Sequence, residues 1–290
     1  MSSYVDCIPC IVSKTEKLAE KYAANKMQKL NAMQQILKEI SDCTFEKSAP
    51  YVDAKAMRVI KREFTIDDPY LTEKRYYNKA LLAMEHEIEG LLDTSTDRFL
   101  DAMKMALAGN IIDFSGLPMV EFGLVKRIID DARNQELNPD TVSRLRRDLA
   151  SGRTLLYLGD NAGEIVLDKI FLKEIRREYP KLSVTFATRG APIYNDVTEE
   201  DAYAVGINEY AAIIGNGSDI PGTDLREVSR DFHDTLLNAD VILSKGQGNF
   251  ETLLGCGHNI YYLFLCKCNV FINKLGAKQF DSIFVNDRTI

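Results

Sequence analysis

The sequence predicts an α/β protein in which an all-helical N-terminal half precedes a mostly parallel sheet. Three observations predict it. Apolar residues recur at helical spacing through residues 1–150, where no convincing strand is found. After residue 150, short apolar runs alternate with helical segments, which is typical of a parallel sheet with helices on both faces. Only four of the 17 glycines precede residue 151, so tight loops are concentrated in the second half.

Six helical segments are predicted before the sheet. The last of them begins after Asn138-Pro139-Asp140, because Asn caps a helix well and Pro suits its first turn. Residues 1–150 are therefore interpreted as a helical domain, with the alternative that the helices near 120–150 pack on the sheet. The six segments are 12–42, 53–63, 72–92, 94–108, 120–134 and 141–150.

Strands and helices then alternate in residues 151–290, which are interpreted as the α/β domain. The runs TLLYL and DVILSK are apolar enough to lie in the middle of a sheet. The predicted strands are 154–158, 182–187, 209–214, 240–245, 259–265 and 282–285, and the predicted helices are 164–179, 224–238, 250–254 and 269–275.

Charge and composition exclude several classes of protein. The chain has 36 basic and 43 acidic residues, and this acidic balance disfavours a nucleic-acid or membrane-surface partner. No signal peptide is visible, and no apolar run approaches the roughly 20 residues of a membrane helix. Six cysteines in 290 residues do not resemble a secreted disulfide framework, so we expect a soluble cytoplasmic protein.

Oxygen-bearing side chains follow the first two predicted strands. Asp160 and Asn161 lie between Gly159 and Gly163, and Asp196 lies in the loop after the second strand. Ligands of parallel sheets bind beyond the carboxyl ends of the strands, and hard divalent cations prefer oxygen ligands. The alternative is that these side chains only cap the helices that follow.

Lysines and glycines follow the fourth and fifth predicted strands. Lys245 and Gly246 open the segment KGQGNFE, where a positive charge and close backbone N–H groups suit a phosphate. Lys267 lies between Cys266 and Cys268 after the fifth strand, at the same edge of the sheet. The alternatives are a solvated lysine at position 245 and cysteines that only fill the core.

Two further pairs are less specific. Asn110 and Asp113 share one face if their segment is helical, and they either contact the second domain or line the cleft between domains. Cys7 and Cys10 resemble a redox dithiol but lack the preceding strand, so they are either half of a metal site or buried thiols.

Taken together, these segments resemble the damage-control phosphatases, a family first described as domain of unknown function eighty-nine. The resemblance is greatest to the short microbial branch with an N-terminal Cys-x-x-Cys. It extends over nearly the whole chain, because the motifs occur in the family's order and spacing. They are Cys7-x-x-Cys10, AGNIIDF at 108–114, GDNAGEIVLDK at 159–169, NDVTEEDA at 195–202, PGTD at 221–224, KGQGNFETL at 245–253 and Lys267-Cys268.

The resemblance implies a helical domain followed by a three-layer α/β/α domain, and a metal-dependent phosphatase acting on small phosphorylated metabolites. It implies Asp160, Asn161 and Asp196 as ligands of Mg²⁺, Mn²⁺, Co²⁺ or Ni²⁺, with Asp160 and Lys267 in catalysis. Either water attacks phosphorus or a carboxylate does so first. The implied substrate-binding residues are Asn110, Asp113, Lys245, Gly246, Asn249, Glu251 and Lys267, with Cys7 and Cys10 as accessory thiols.

Two other functions remain as alternatives. A carboxyl methyltransferase would need an S-adenosylmethionine site, and the GDNAGE loop lacks the glycine pattern common in that fold. A metal-binding module without turnover is the other alternative, and the Cys7-x-x-Cys10 pair favours it.

Overall fold

The computed structural model describes residues 4–44, 46–109 and 121–290. Within these residues, eight α-helices precede the sheet, and none of the helices is both long and apolar enough to cross a membrane. The eight helices are α1 (Ile8–Tyr22), α2 (Lys26–Ser41), α3 (Ala49–Phe64), α4 (Leu71–Ala83), α5 (Glu85–Gly90), α6 (Arg98–Ala108), α7 (Phe122–Arg133) and α8 (Pro139–Ser151).

Six strands form one sheet in the order β3-β2-β1-β4-β5-β6, and only β6 is antiparallel. This confirms the predicted α/β class with a mostly parallel sheet. The chain reverses its direction of winding between β1 and β4, which is where open parallel sheets bind ligands. The strands are β1 (Thr154–Leu158), β2 (Ser183–Thr188), β3 (Ala212–Gly215), β4 (Val241–Lys245), β5 (Ile260–Leu265) and β6 (Ser282–Asn286). The helices between them are α9 (Glu164–Glu178), α10 (Glu199–Ala204), α11 (Arg230–Leu237), α12 (Gln247–Leu253) and α13 (Asn269–Leu275).

The two faces of the sheet are covered by different parts of the chain. Tyr157 and Leu243 pack into one buried cluster with α4 to α9, and Leu156 and Ile242 pack into another with α11 to α13. Neighbouring residues of a strand point to opposite faces, so each strand contributes to both clusters. This arrangement explains why β1 and β5 are apolar along nearly their whole length.

The described helices that precede β1 are divided between two apolar cores. Helices α1 to α3 have a core of their own, whereas Leu145 and Leu149 of α8 share a cluster with Leu155 of β1. The apolar core is therefore continuous across residue 150, where the boundary between the two domains is predicted. Val125 and Ile129 of α7 belong to the same cluster.

Most predicted elements differ from the observed ones by one or more residues, and three of the differences have a clear local cause. The predicted helix 12–42 is two helices, because the side chain of Asn25 accepts a hydrogen bond from the Gln28 N–H and starts α2. The predicted third strand is shortened to Ala212–Gly215, since residues 207–209 form a 3-10 turn. The predicted helix 224–238 begins only at Arg230, where Ser229 provides its cap.

Helices α1 to α3 hold the loop that follows β2. Ile193 and Tyr194 of this loop belong to the core of these helices, and the Tyr194 hydroxyl donates a hydrogen bond to Asp53 of α3. Lys61 of α3 donates a hydrogen bond of 2.5 Å to the Pro192 carbonyl. Tyr194 has φ of 44°, a left-handed conformation that is rare for tyrosine. The N-terminal helices thus fix the loop two residues before Asp196.

Candidate active site

Two loop segments pair beyond the carboxyl ends of β1 and β2. The Ala162 N–H donates to the Asn195 carbonyl over 2.9 Å, and the Val197 N–H donates to the Asp160 carbonyl over 2.8 Å. Asn161 and Asp196 face each other in the resulting antiparallel bridge. The backbone itself therefore brings together the three residues that the sequence predicts as metal ligands.

The three side chains are nearly buried and lie in one hydrogen-bonded group. Asp160 is 9% exposed, and Asn161 and Asp196 are each 5% exposed. The Asn161 amide donates to Asp160 Oδ2 over 2.6 Å and to Glu164 Oε2 over 3.0 Å. Because both donors face carboxylates, the carbonyl oxygen Oδ1 is the atom that Asn161 can present to a cation.

Arg189 joins the two aspartates. Its Nε donates to Asp196 Oδ2 over 2.6 Å, and its Nη2 lies 3.5 Å from Asp160 Oδ1. The side chain is 2% exposed, so these ion pairs are shielded from water. Arg189 was not among the predicted site residues, although a basic side chain at the end of β2 is the same signal that singled out Lys245 at the end of β4.

Asn249 was predicted to bind substrate, and the structure shows a fully buried residue that ties the loops together. Its Oδ1 accepts hydrogen bonds from Arg189 and from the Thr223 hydroxyl. Its Nδ2 donates to the carbonyls of Lys245 and Gly159. Asn249 therefore holds the ends of β1 and β4 beside Arg189, with each polar atom bonded inside the protein.

Gly246 lies directly against Asp160. A Cβ atom at this position would lie 2.1 Å from Asp160 Oδ2, and the backbone has φ of 79°. Only glycine fits both constraints, because other residues carry a Cβ and rarely adopt positive φ. Gly246 therefore lets the start of the KGQGNFE segment pass directly beside the Asp160 carboxylate.

The side chain of Lys245 does not reach the loop edge, which corrects the prediction that it binds substrate. Its ammonium is 2.6 Å from both Glu164 Oε1 and Asp168 Oδ1, and 2.8 Å from the Ala106 carbonyl. The side chain is fully buried. Lys245 is in β4 and points to the same face as Leu243, under α6 and α9, because side chains alternate along a strand.

Lys267 and Glu251 are connected through Gln247. The Lys267 N–H lies 3.4 Å from Gln247 Oε1, and Gln247 Nε2 donates to Glu251 Oε1 over 2.8 Å. Lys267 follows β5, so it lies at the same edge of the sheet as the Asp160 group. Burial raises the pKa of Glu251 to about 7, although Gln247 and Lys14 favour its charged form.

The N-terminal thiols lie near this group. Burial raises the pKa of Cys7 to about 11, and the neighbouring Glu251 and Cys268 add to the shift. All six cysteines are thiols in the structure, with Cys7 half-buried and Cys10 exposed. A pKa this high keeps Cys7 a protonated thiol at neutral pH.

The remaining predicted residues cannot be placed in the site. Asn110 and Asp113 lie outside the described residues. Within the residues that are described, no group of three His, Cys, Asp or Glu side chains could hold a metal. The candidate site instead combines two carboxylates with the amide of Asn161.

The donor set fits a hard divalent cation. Two carboxylates and one amide oxygen are the ligands that Mg²⁺ and related ions take, together with waters and a substrate phosphate. The close approach of Gly246 to Asp160 leaves the carboxylate facing backbone instead of a bulky side chain. Gly163 is the N-cap residue of α9, so the capping position itself carries no side chain.

Comparison with known proteins agrees with the fold. Residues 3–283 match the model of the damage-control phosphatase ARMT1-like domain. An uncharacterized protein of Methanocaldococcus jannaschii is 30% identical over 97% of this chain and 94% of its own length. A damage-control phosphatase of Pyrococcus horikoshii is 28% identical over 96% of each chain.

A solved structure has the same fold along its whole length. The crystal structure of a DUF89 family protein from Pyrococcus horikoshii matches with a TM-score of 0.90 and 26% identity, and the match covers 99% of each chain. The similarity therefore includes both the helical half and the sheet.

The close contact of Gly246 with Asp160 leads to a first prediction. We expect Gly246→Ala to lower the free energy of unfolding by at least about 3 kcal/mol, because it adds a steric clash with the carboxylate to the cost of positive φ. Urea denaturation of the metal-free protein measures this loss.

Gly255→Ala is the matched control. Gly255 has φ of 80°, and a Cβ there would meet no atom within 4 Å. The control should lose only about 1–2 kcal/mol, the cost of the backbone conformation. Equal losses in the two variants would contradict the contact with Asp160.

The environment of Glu251 leads to a second prediction. Its pKa is raised from 4.5 to about 7, so folding favours the protonated form and stability falls as pH rises from about 4.5 through 7. We expect the wild type to lose up to about 3 kcal/mol relative to Glu251→Gln between pH 4.5 and pH 8. Urea denaturation across this range measures the difference, and parallel pH profiles would refute the assignment.

Proposed function

The chain belongs to the family of damage-control phosphatases with an ARMT1-like domain, and we propose on this premise that it is a metal-dependent phosphatase. Membership of the family and the relative from Pyrococcus horikoshii support a phosphatase role. The substrates proposed here are phosphate monoesters of small metabolites, such as sugar phosphates or damaged phosphometabolites.

One observation supports the proposed dependence on a metal ion. Asp160, Asn161 and Asp196 are held side by side by a backbone bridge beyond the carboxyl ends of β1 and β2, and β1 also borders the point where the sheet reverses its winding. Two buried carboxylates and an oriented amide oxygen form a donor set suited to Mg²⁺, Mn²⁺, Co²⁺ or Ni²⁺. This support comes from the chain's own atoms and is independent of any sequence comparison.

The residues around this donor set have distinct roles in the proposed reaction. A bound cation would neutralise the phosphoryl oxygens and orient the attacking group. Lys267, at the end of β5, is proposed to stabilise the charge of the transferring phosphoryl group. Arg189 holds Asp196 and Asp160 in place while no cation is bound, since its guanidinium contacts both carboxylates. Gly246 brings the backbone close to Asp160.

Loss of a metal ligand is the test of this proposal. We expect Asp160→Ala to reduce phosphate release from p-nitrophenyl phosphate by at least about a hundredfold, because the cation and its charge stabilisation are lost together. Activity is measured with Mg²⁺, Mn²⁺, Co²⁺ and Ni²⁺ in turn, followed by a panel of phosphometabolites for the wild type.

Asp148→Ala is the control, because it removes a hydrogen-bonded carboxylate that lies outside the candidate site. Asp148 accepts a hydrogen bond of 2.6 Å from the Tyr261 hydroxyl on the sheet's amino-terminal side. This variant should keep phosphate release near the wild-type rate. Full activity of Asp160→Ala with any of the metals would refute the proposal.

A further inference from the structure

A fully buried ionic cluster lies directly beneath the candidate metal ligands. It is formed by Lys245 of β4 with Glu164 and Asp168 of α9, and all three side chains are 0% exposed. The Lys245 ammonium is 2.6 Å from one oxygen of each carboxylate. Such clusters contribute little net stability, because removing the charges from water costs about as much as their attraction returns.

The two carboxylates of this cluster differ in one respect. Glu164 uses its second oxygen, Oε2, to accept a hydrogen bond of 3.0 Å from the Asn161 amide. Asp168 instead accepts a hydrogen bond from the Tyr157 hydroxyl, and its other oxygen has no partner among the described residues. Of these two carboxylates, Glu164 is therefore the one whose described contacts include a candidate metal ligand.

We propose that Glu164 is a positioning residue that orients the amide of Asn161 so that its carbonyl oxygen faces the cation. This inference rests on the proposed function. If the Asn161 side-chain amide were rotated by half a turn, its Oδ1 would take the place of Nδ2. Oδ1 would then face Asp160 Oδ2 and Glu164 Oε2, which lie 2.6 and 3.0 Å from Nδ2 in the structure. Two such oxygen–oxygen contacts are repulsive, so the pair of carboxylates excludes the wrong orientation.

The surroundings keep Glu164 itself in one conformation. Lys245 holds Oε1, and the same ammonium is bound to the Ala106 carbonyl near the end of α6. Gly109, which ends α6, is so close that a Cβ atom there would lie 2.9 Å from Glu164 Cγ. Glu164 is therefore clamped between β4 and α6, and Lys245 is its counter-ion.

Glu164→Gln and Asp168→Asn form a matched pair in the full-length protein. Each variant replaces a buried carboxylate that lies 2.6 Å from the Lys245 ammonium with a neutral amide. Of the two, Glu164→Gln also changes the group that accepts the hydrogen bond from the Asn161 amide. Both variants should lower the melting temperature of the metal-free protein by similar amounts.

Metal binding distinguishes the pair. We expect Glu164→Gln to raise the Kd for Mn²⁺, measured by calorimetry without substrate, by about 10- to 100-fold, as is typical when a group behind a ligand is lost. Asp168→Asn should stay within about threefold of the wild type. In activity assays, Glu164→Gln should need more Mn²⁺ for half-maximal rate and regain most of kcat at saturation.

Equal Kd values for Mn²⁺ in the two variants would overturn the positioning role, even if the wild type is an active metal-dependent phosphatase. Failure of the wild type to bind Mn²⁺ would overturn the proposed function as well, which separates the two failures. If Glu164→Gln does not fold, Glu164→Asp takes its place. This variant keeps the charge for Lys245 but is too short to reach Asn161, and an unchanged Kd would again overturn the role.

Discussion

The site depends on the backbone pairing of residues 160–162 with 195–197. This short bridge sets Asn161 opposite Asp196 and brings two buried carboxylates within reach of one guanidinium. The parallel alignment of β1 and β2 places the ends of both strands side by side. Helices α1 to α3 hold the second loop through Ile193 and Tyr194, so the N-terminal helices belong to the architecture of the site.

The polar residues around the bridge form two connected layers. Arg189 and Asn249 connect the loops after β1, β2 and β4, close to the proposed cation. Glu164 and Lys245 lie below, where the ammonium is buried among carboxylates and its raised pKa keeps it charged. Burial alone would lower the pKa of Lys245, but the neighbouring carboxylates of Asp168 and Glu164 raise it by more. The hydrogen bond from the Asn161 amide to Glu164 connects the lower layer to the upper one.

The sequence predicts those features that depend on local pattern. The strand 154–158 and the helix 269–275 have the predicted bounds, and Asp160, Asn161 and Asp196 meet because carboxyl ends of parallel strands share an edge. The direction of Lys245 is not local, since it depends on which face α6 and α9 cover. The role of Arg189 depends on the meeting of two loops that are distant from one another in the sequence. The helices near 120–150 join the core of the sheet, and helical periodicity does not reveal which partner a helix packs against.

Anomalous diffraction from crystals of the wild-type protein soaked in Mn²⁺ tests the central claim most directly. The account predicts one strong manganese peak in contact with a carboxylate oxygen of Asp160, the carbonyl oxygen of Asn161 and a carboxylate oxygen of Asp196. A manganese peak at Cys7 and Cys10 with none between these three residues would contradict it.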